Sequence, residues 1–255
     1  VKTMEIRPCP ICGNNEKETL EVKHHIQGIP RIWCKTCNCA YIGSPEYKKP
    51  VYDLSYNLHF YRPGDIRKAF FFAMKVIPFL EQRFPAPRLL EAGVGNGLFL
   101  ALLQMEGLDV EGCDISRDTC EFLKETFNLT VHPCAIEEMK ATEQYNLIFS
   151  SHLIEHYYDP KVFMVAAKRL LSIPGYIWLY TPDLDRSNSC DPAWHHFQTR
   201  QPFEHLCVLS PRAMRYLAWR TGYDIIHIER HEKYDAFEAI LYNLPAEAKK
   251  NLPSI

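Results

Sequence analysis

The sequence predicts an α/β fold: a mostly parallel sheet with helices on both faces, behind a small metal-stabilised front module. Three observations predict it. LLEAGVGNGLFL (89–100) reads as a buried strand, a glycine turn and a helix, and VEGCDIS (110–116) as a second strand ending on an acid. From residue 87 onward, short apolar runs alternate with amphipathic helical stretches, the pattern of βαβ units. Half of the ten cysteines, Cys9, Cys12, Cys34, Cys37 and Cys39, crowd into the front of the chain. At 255 residues and 47% hydrophobic, the chain has material for one large domain with a small appendage.

The front module spans residues 1–45. CPICG (9–13) and CKTC (34–37) are matched Cys-x-x-Cys pairs, and four thiolates at about 2.3 Å satisfy a tetrahedral zinc ion. Between them, TLEVKHH and PRIWC form short strands around a Gly28–Pro30 turn. This is the layout of a zinc ribbon with Cys9, Cys12, Cys34 and Cys37 as ligands. CKTCNC also offers Cys39 in place of Cys37; Cys37 is preferred because its spacing mirrors the first pair. So small a piece buries little apolar area, and Zn²⁺ supplies the missing folding energy. The remaining cysteines are scattered, which fits reduced thiols and a cytoplasmic compartment better than a disulfide scaffold.

Residues 46–84 are a linker, punctuated by Pro50 and Pro63, and leading helices. IRKAFFFAMKVIPFLEQRF (66–84) reads as a helix that Pro78 bends or divides. Residues 85–245 carry the sheet. PRLLEAGV is strand one, NGLFLALLQMEG a helix, LDVEGCDIS strand two, RDTCEFLKETF a helix and LTVHPCAI a short third strand. QYNLIFSSHLIEH holds strand four and a loop, and DPKVFMVAAKRLLSIPG a helix stopped by Pro174–Gly175. YIWLYTPD is strand five, and SPRAMRYLAWRTGY a helix capped by Ser210 and closed by Gly222. DIIHIERHEKYDAFEAILYN supplies the last strands as a hairpin, and 246–255 is a tail.

The formal net charge of −2 provides no excess for a polyanion, and the acids at Glu5, Glu16, Glu18 and Glu21 dilute the basic residues of the front module. Nucleic acid is therefore not an expected partner. No apolar run reaches membrane-spanning length; the greasiest stretch, 70–80, contains Lys75 and Pro78. No secretory leader is expected, and oligomeric state is left open.

Gly93, Gly95 and Gly97 permit a tight turn that a ligand can approach at the backbone. A dinucleotide fingerprint needs glycine where this chain has Leu98, so the expected ligand is a nucleoside without a pyrophosphate. Helix amides at 96–98 can receive a carboxylate, and Asp114, about twenty residues on, can take both ribose hydroxyls.

EAGVGNG (91–97), Asp114, SSHLIEHYYDP (150–160), LLSIPGYIWLYTPD (170–183) and EHLCVLSP (204–211) together resemble the class I S-adenosylmethionine-dependent methyltransferases, of the branch that modifies small molecules and sugars. The resemblance covers roughly residues 85–230. It implies a seven-stranded Rossmann-like sheet with S-adenosyl-L-methionine as cofactor. It further implies that Glu91, Gly93, Gly95 and Gly97 cradle the methionine end. Asp114 matches the ribose acid with Ile115 beside the adenine, Ala135 and Ile136 fall at the adenine side, and Ser151 falls where the strand-four loop meets the sulfonium. Two positions depart from the family pattern: Tyr176 follows Pro174-Gly175, and Asn146 opens strand four.

Methyl transfer to oxygen needs orientation, a desolvated pocket and a proton acceptor tuned near neutrality, for which histidine is suited. His156 and His205 are the first candidates for the base and His152 the third, with Glu155 orienting His156. His195 and His196, with Trp194 and Phe197, sit where the family builds its substrate lid. The expected acceptor is an oxygen, or a carbon, of a sugar or secondary metabolite. Two rivals are weighed: an RNA-modifying enzyme presenting substrate on its ribbon, and a binding module that keeps the scaffold without catalysis. The first lacks a continuous basic face and an Asn/Asp-Pro-Pro-Tyr/Phe loop; the second needs a damaged glycine turn, and the turn is intact.

Overall fold

The computed structural model of the chain describes residues 6–26, 29–44, 52–59, 61–140, 145–186, 204–231 and 235–243. Eleven strands and six helices follow one another as β1 (Leu20–Ile26), β2 (Ile29–Cys34), β3 (Cys39–Ile42), α1 (Leu54–Leu58), α2 (Pro63–Glu81), β4 (Arg88–Ala92), α3 (Leu98–Met105), β5 (Asp109–Cys113), α4 (Arg117–Phe127), β6 (Val131–His132), β7 (Tyr145–Ser151), α5 (Pro160–Leu170), β8 (Leu171–Pro182), β9 (Cys207–Val208), α6 (Pro211–Thr221), β10 (Tyr223–His231) and β11 (Ala236–Asn243), counted among the described residues. They make a seven-stranded sheet in the order β10-β11-β8-β7-β4-β5-β6 and a four-stranded sheet in the order β1-β2-β3-β9. In the large sheet β4 runs parallel to both β5 and β7, and β5 parallel to β6. The small sheet is antiparallel throughout.

The described residues fall into two compact units, one drawn from Val1–Pro50, His152–Val165 and Leu179–Tyr242, the other from Val51–Ser151, Ala166–Trp178 and Asn243–Ile255. In the second, α2 buries Ala69, Phe72, Ala73, Val76 and Leu80, the helical repeat of an apolar stripe. Phe72 meets Phe149 edge-on at 5.1 Å, and Phe99 lies 4.2 Å from Phe149. In the first, Ala40, Leu184 and Val208 form a buried cluster with Trp33 against it. α6 buries Ala213, Met214, Leu217 and Ala218, and the buried Tyr223 hydroxyl donates to the Met164 carbonyl at 3.0 Å.

Local signals set several boundaries. Ser116 and Ser210 accept from the backbone amides three residues on and start α4 and α6, while Asn128 and Gly222 end them in the left-handed conformation. Three expectations need correction. Pro78 does not divide α2, which runs on through it to Glu81; the missing N–H forfeits one intrahelical bond in a helix of 19 residues. The helix expected to run to Pro174 stops at Leu170. Residues 171–175 already belong to β8, where Asn146 Nδ2 donates to Ser172 Oγ at 3.2 Å and Asn243 Nδ2 to the Ser172 carbonyl at 3.5 Å. The front sheet has two strands that the sequence pattern did not reveal, β3 and β9. The expected Gly28 turn position, Cys190, Trp194, His195, His196, Phe197 and the 246–255 tail lie outside the described residues. No described helix is long and apolar enough to cross a membrane.

Candidate functional site

The candidate nucleoside-binding turn is built where β4 and β5 end side by side. Gly93, Gly95 and Gly97 all have positive φ, at 74°, 56° and 74°, a region that favours glycine. Gly97 is the N-cap of α3, and a Cβ there would lie 2.4 Å from Leu123 Cδ2. At Gly95 a Cβ would meet nothing nearer than Asn57 Oδ1 at 3.8 Å, so this stretch of backbone stays open to approach.

Asp114 locks the turn to β5. Its Oδ2 accepts from the Gly95 amide at 3.1 Å and its Oδ1 from the Ser116 amide at 2.9 Å. The two elements that the sequence assigns to one ligand are thus joined directly. Asp114 is 9% exposed, and burial raises its carboxyl above the usual range although backbone donors oppose the shift. Glu91 is buried deeper. Its desolvation, and then the Asp114 charge, push its carboxyl well above the ordinary carboxylate range. Among the described residues, Glu91 Oε2 and Ser151 Oγ are buried without a hydrogen-bond partner. An orphaned carboxylate oxygen beside an open glycine turn fits the amino group of a methionine tail.

Of the adenine-side candidates, Ile115 is 59% exposed and Ile136 is buried, with Ala135 half-buried between two turns. The sequence reading missed a backing for the cradle. Asn57 of α1 donates to Thr119 Oγ1 at 2.8 Å, and the Tyr61 hydroxyl donates to the Asn96 carbonyl within the glycine turn. The Tyr-rich composition of 52–61 was the only signal for it.

A separate histidine cluster begins directly after β7. His152 holds φ 54°, its amide donates to the Tyr180 carbonyl at 2.8 Å, and its Nδ1 lies 3.1 Å from Glu155 Oε1. Glu155 is fully buried, and its other oxygen accepts from Thr181 Oγ1 at 3.0 Å. Burial would raise this carboxyl, but the His152 hydrogen bond and the positive potential of His152, His156 and His205 outweigh it and hold the group at about 2. The His156 and His205 rings meet edge-on at 5.0 Å. His156 Nδ1 lies 2.7 Å from the Glu204 carbonyl, which can only accept; Nδ1 therefore donates there, and in the neutral form of the ring the lone pair is on Nε2. All three expected histidines, and Glu155, thus belong to one cluster.

In the front module, Gly13 (φ 77°) and Asn38 (φ 61°) close two tight turns whose amides donate to the Cys9 and Cys34 carbonyls. Cys9 Sγ lies 3.6 Å from Cys37 Sγ, and Cys12 Sγ 3.6 Å from Cys34 Sγ. Sulfurs bonded at about 2.3 Å to a tetrahedral ion are about 3.8 Å apart. One sulfur from each of Cys9, Cys12, Cys34 and Cys37 lies within 4.8 Å of the others, so the donor set fits zinc. Hydrogen bonding from Cys12 draws the Cys34 thiol far down and raises Cys12 in turn, a competition for protons that a bound cation relieves. Cys39 is also near, 3.4 Å from Cys9, but burial pushes its thiol well up.

The front sheet also grips the histidine segments. Arg31, 1% exposed on β2, donates from Nη1 to the His205 carbonyl at 2.8 Å. Arg7 donates to the Tyr158 carbonyl at 3.0 Å and stacks on the Tyr158 ring. The Leu206 amide donates to the Glu155 carbonyl at 2.8 Å, and the Ile42 amide to the Leu206 carbonyl at 3.0 Å.

Comparison with known proteins agrees with this geometry. A family model described as a methyltransferase domain matches residues 65–228. No curated protein sequence matches the chain. Among solved structures, magnesium protoporphyrin IX methyltransferase of Synechocystis PCC 6803, with bound S-adenosylmethionine, is 13% identical with a TM-score of 0.52, over 78% of this chain and 88% of that one. An S-adenosylmethionine-dependent methyltransferase of Aquifex aeolicus is 19% identical with a TM-score of 0.56, over 76% and 100%. The CcbJ methyltransferase of Streptomyces caelestis is 14% identical with a TM-score of 0.56, over 72% and 91%. With the matched residues spanning well over half of the chain, and the glycine turn, paired acids and parallel sheet in place, the chain belongs to the class I S-adenosylmethionine-dependent methyltransferase family.

Proposed function

We propose that this enzyme methylates an oxygen, or a carbon, of a small molecule, a sugar or secondary metabolite, in the cytoplasm. In this reading residues 85–245 form the catalytic domain, 46–84 the linker and leading helices, and 1–45 a zinc ribbon. The observation that carries the reading is the cluster of Glu155, His152, His156 and His205, a buried carboxylate with three imidazoles on the chain segments that follow β7 and precede β9.

S-adenosylmethionine, when bound, supplies a methyl group on a positively charged sulfur. Glu91 and the amides of the turn hold its methionine end, and Asp114 its ribose through the lone pairs that Gly95 and Ser116 leave over. Ile115, Ala135 and Ile136 bound the adenine, and Ser151 lies at the sulfonium. His156 accepts the acceptor's proton at Nε2, since Nδ1–H is committed to the Glu204 carbonyl. The Glu155 carboxylate, ionised across the working pH range, stabilises the imidazolium that forms. His205 is the second candidate for this role. His152 is the third. Cys9, Cys12, Cys34 and Cys37 hold Zn²⁺.

The test is methyl transfer from labelled S-adenosylmethionine to a panel of sugars and phenolic metabolites, with His156→Ala beside the wild type. Loss of a general base lowers kcat by about 10²–10⁴-fold, and S-adenosylmethionine affinity stays unchanged. Equal kcat in the variant removes His156 from the chemistry. Transfer to RNA alone overturns the small-molecule reading.

A further inference from the structure

The front module holds one thiol more than a zinc site needs. Cys9, Cys12, Cys34 and Cys37 are the four whose sulfurs all meet within 4.8 Å, and Cys39 stands outside that set. Its sulfur nevertheless lies 3.4 Å from Cys9 Sγ and 3.5 Å from Cys37 Sγ, and those two are 3.6 Å apart. The three make a nearly equilateral triangle. Cys39 is also the cross-strand partner of Cys34 in the β2–β3 register, and opposed residues send their side chains to one face of a sheet. Cys9, Cys34 and Cys37 are therefore neighbours of both Cys12 and Cys39.

Tetrahedral coordination decides what five such thiols can do. Sulfurs bonded at about 2.3 Å to one ion are about 3.8 Å apart, and every edge of the triangle is within about 0.4 Å of that spacing. A structural zinc site takes four ligands. Three shared sulfurs thus leave one position, with two candidates for it. The two belong to separate backbone segments, Cys12 to the turn that Gly13 closes and Cys39 to the first position of β3. They also differ in access: Cys12 is half-buried, whereas Cys39 has 0% exposure. Burial disfavours an isolated thiolate, but a thiol that coordinates a metal ion gives up its proton outright.

We propose that Cys39 is a reserve zinc ligand that exchanges with Cys12, while Cys9, Cys34 and Cys37 are held in common. Cys12 is then a modification site for soft, thiol-directed electrophiles. In that step the Cys12 sulfur bonds the electrophilic carbon and its bond to zinc breaks, and the leaving group departs with its electron pair. The Cys39 thiol gives its proton to water and takes the vacated position, so the ion stays. The front sheet keeps its metal after the accessible ligand is lost, and with it the hold of Arg31 on the His205 carbonyl. The exchange rests on the zinc site proposed above and not on the identity of the methyl acceptor.

The experiment uses the full chain loaded with Co²⁺, whose sulfur-to-metal charge-transfer absorption counts thiolates. Cys12→Ala and Cys39→Ala are each expected to keep one Co²⁺ with a four-thiolate spectrum. The double variant should show three thiolates and bind about 100-fold more weakly, as should Cys9→Ala, which removes a shared ligand. A second measurement starts from the zinc-loaded wild type treated with iodoacetamide. Native mass spectrometry with peptide mapping should find Cys12 alkylated and one zinc retained, whereas the same adduct of Cys39→Ala should have lost its zinc. Three thiolates in Cys12→Ala overturn the exchange, as does loss of zinc from the Cys12-alkylated wild type or a Cys12 that resists alkylation. A wild type that binds neither ion overturns the zinc site itself, and the exchange with it.

Discussion

Glu91 is a buried acid whose cost in stability the proposed binding role would explain. Its folded carboxyl lies well above the ordinary range, through burial and then the Asp114 charge. An acid whose folded pKa is raised favours the folded state below its unfolded value of about 4.3 and loses that contribution as pH rises through the folded pKa. At neutral pH the residue therefore costs stability. Glu91→Gln should raise the melting temperature of the ligand-free protein and weaken S-adenosylmethionine binding; calorimetry reads both. A lower melting temperature with unchanged affinity would make Glu91 a structural residue. Asp114→Ala should weaken S-adenosylmethionine binding by about 2–3 kcal/mol, the worth of charged hydrogen bonds, and titration calorimetry on the two proteins checks it. These acids were legible in the sequence because each closes a strand beside a glycine turn. Glu155 was legible only as half of a Glu–His pair. That it is fully buried and bonds Thr181 depends on a residue from a distant strand.

Elements were legible where a local cap or breaker sets the end. α4 spans the residues expected from Ser116 and the following amphipathic run, and α6 those between Ser210 and Gly222. β8 was misjudged because Pro174–Gly175 reads locally as a stop, whereas side chains from β7 and β11 draw Ser172 into the sheet. Packing between elements explains the strictest glycine. Gly97 combines a left-handed φ with a Cβ position 2.4 Å from Leu123 Cδ2, and Leu123 is fully buried on α4 with no room to swing aside. Gly97→Ala should destabilise the fold by about 1–3 kcal/mol through strain and overpacking; denaturant unfolding measures it, and a wild-type midpoint would show that the turn can relax.

At the scale of the molecule, the cysteine module does more than cap the N-terminal segment. β3 pairs with β9, where Ala40 faces Val208 and Tyr41 faces Cys207, and Arg31 holds the carbonyl of His205. Elemental analysis should find one zinc in the cysteine site of each chain. Stripping that zinc should lower methyl transfer while S-adenosylmethionine affinity, proposed above to reside in residues 91–115, persists; equal loss of both would assign the metal to global folding alone. The sequence by itself determined the glycine turn with its strand-end acids, the four-cysteine cluster and the βαβ order. Each is written in short spans, where glycine φ, a strand-end acid or a Cys-x-x-Cys turn has its effect within a few residues. Only the tertiary structure decided that His205 lies 5.0 Å from His156 and that β9 completes the front sheet. Those neighbours are far apart along the chain, and strand register and buried charge, set by the whole core, bring them together.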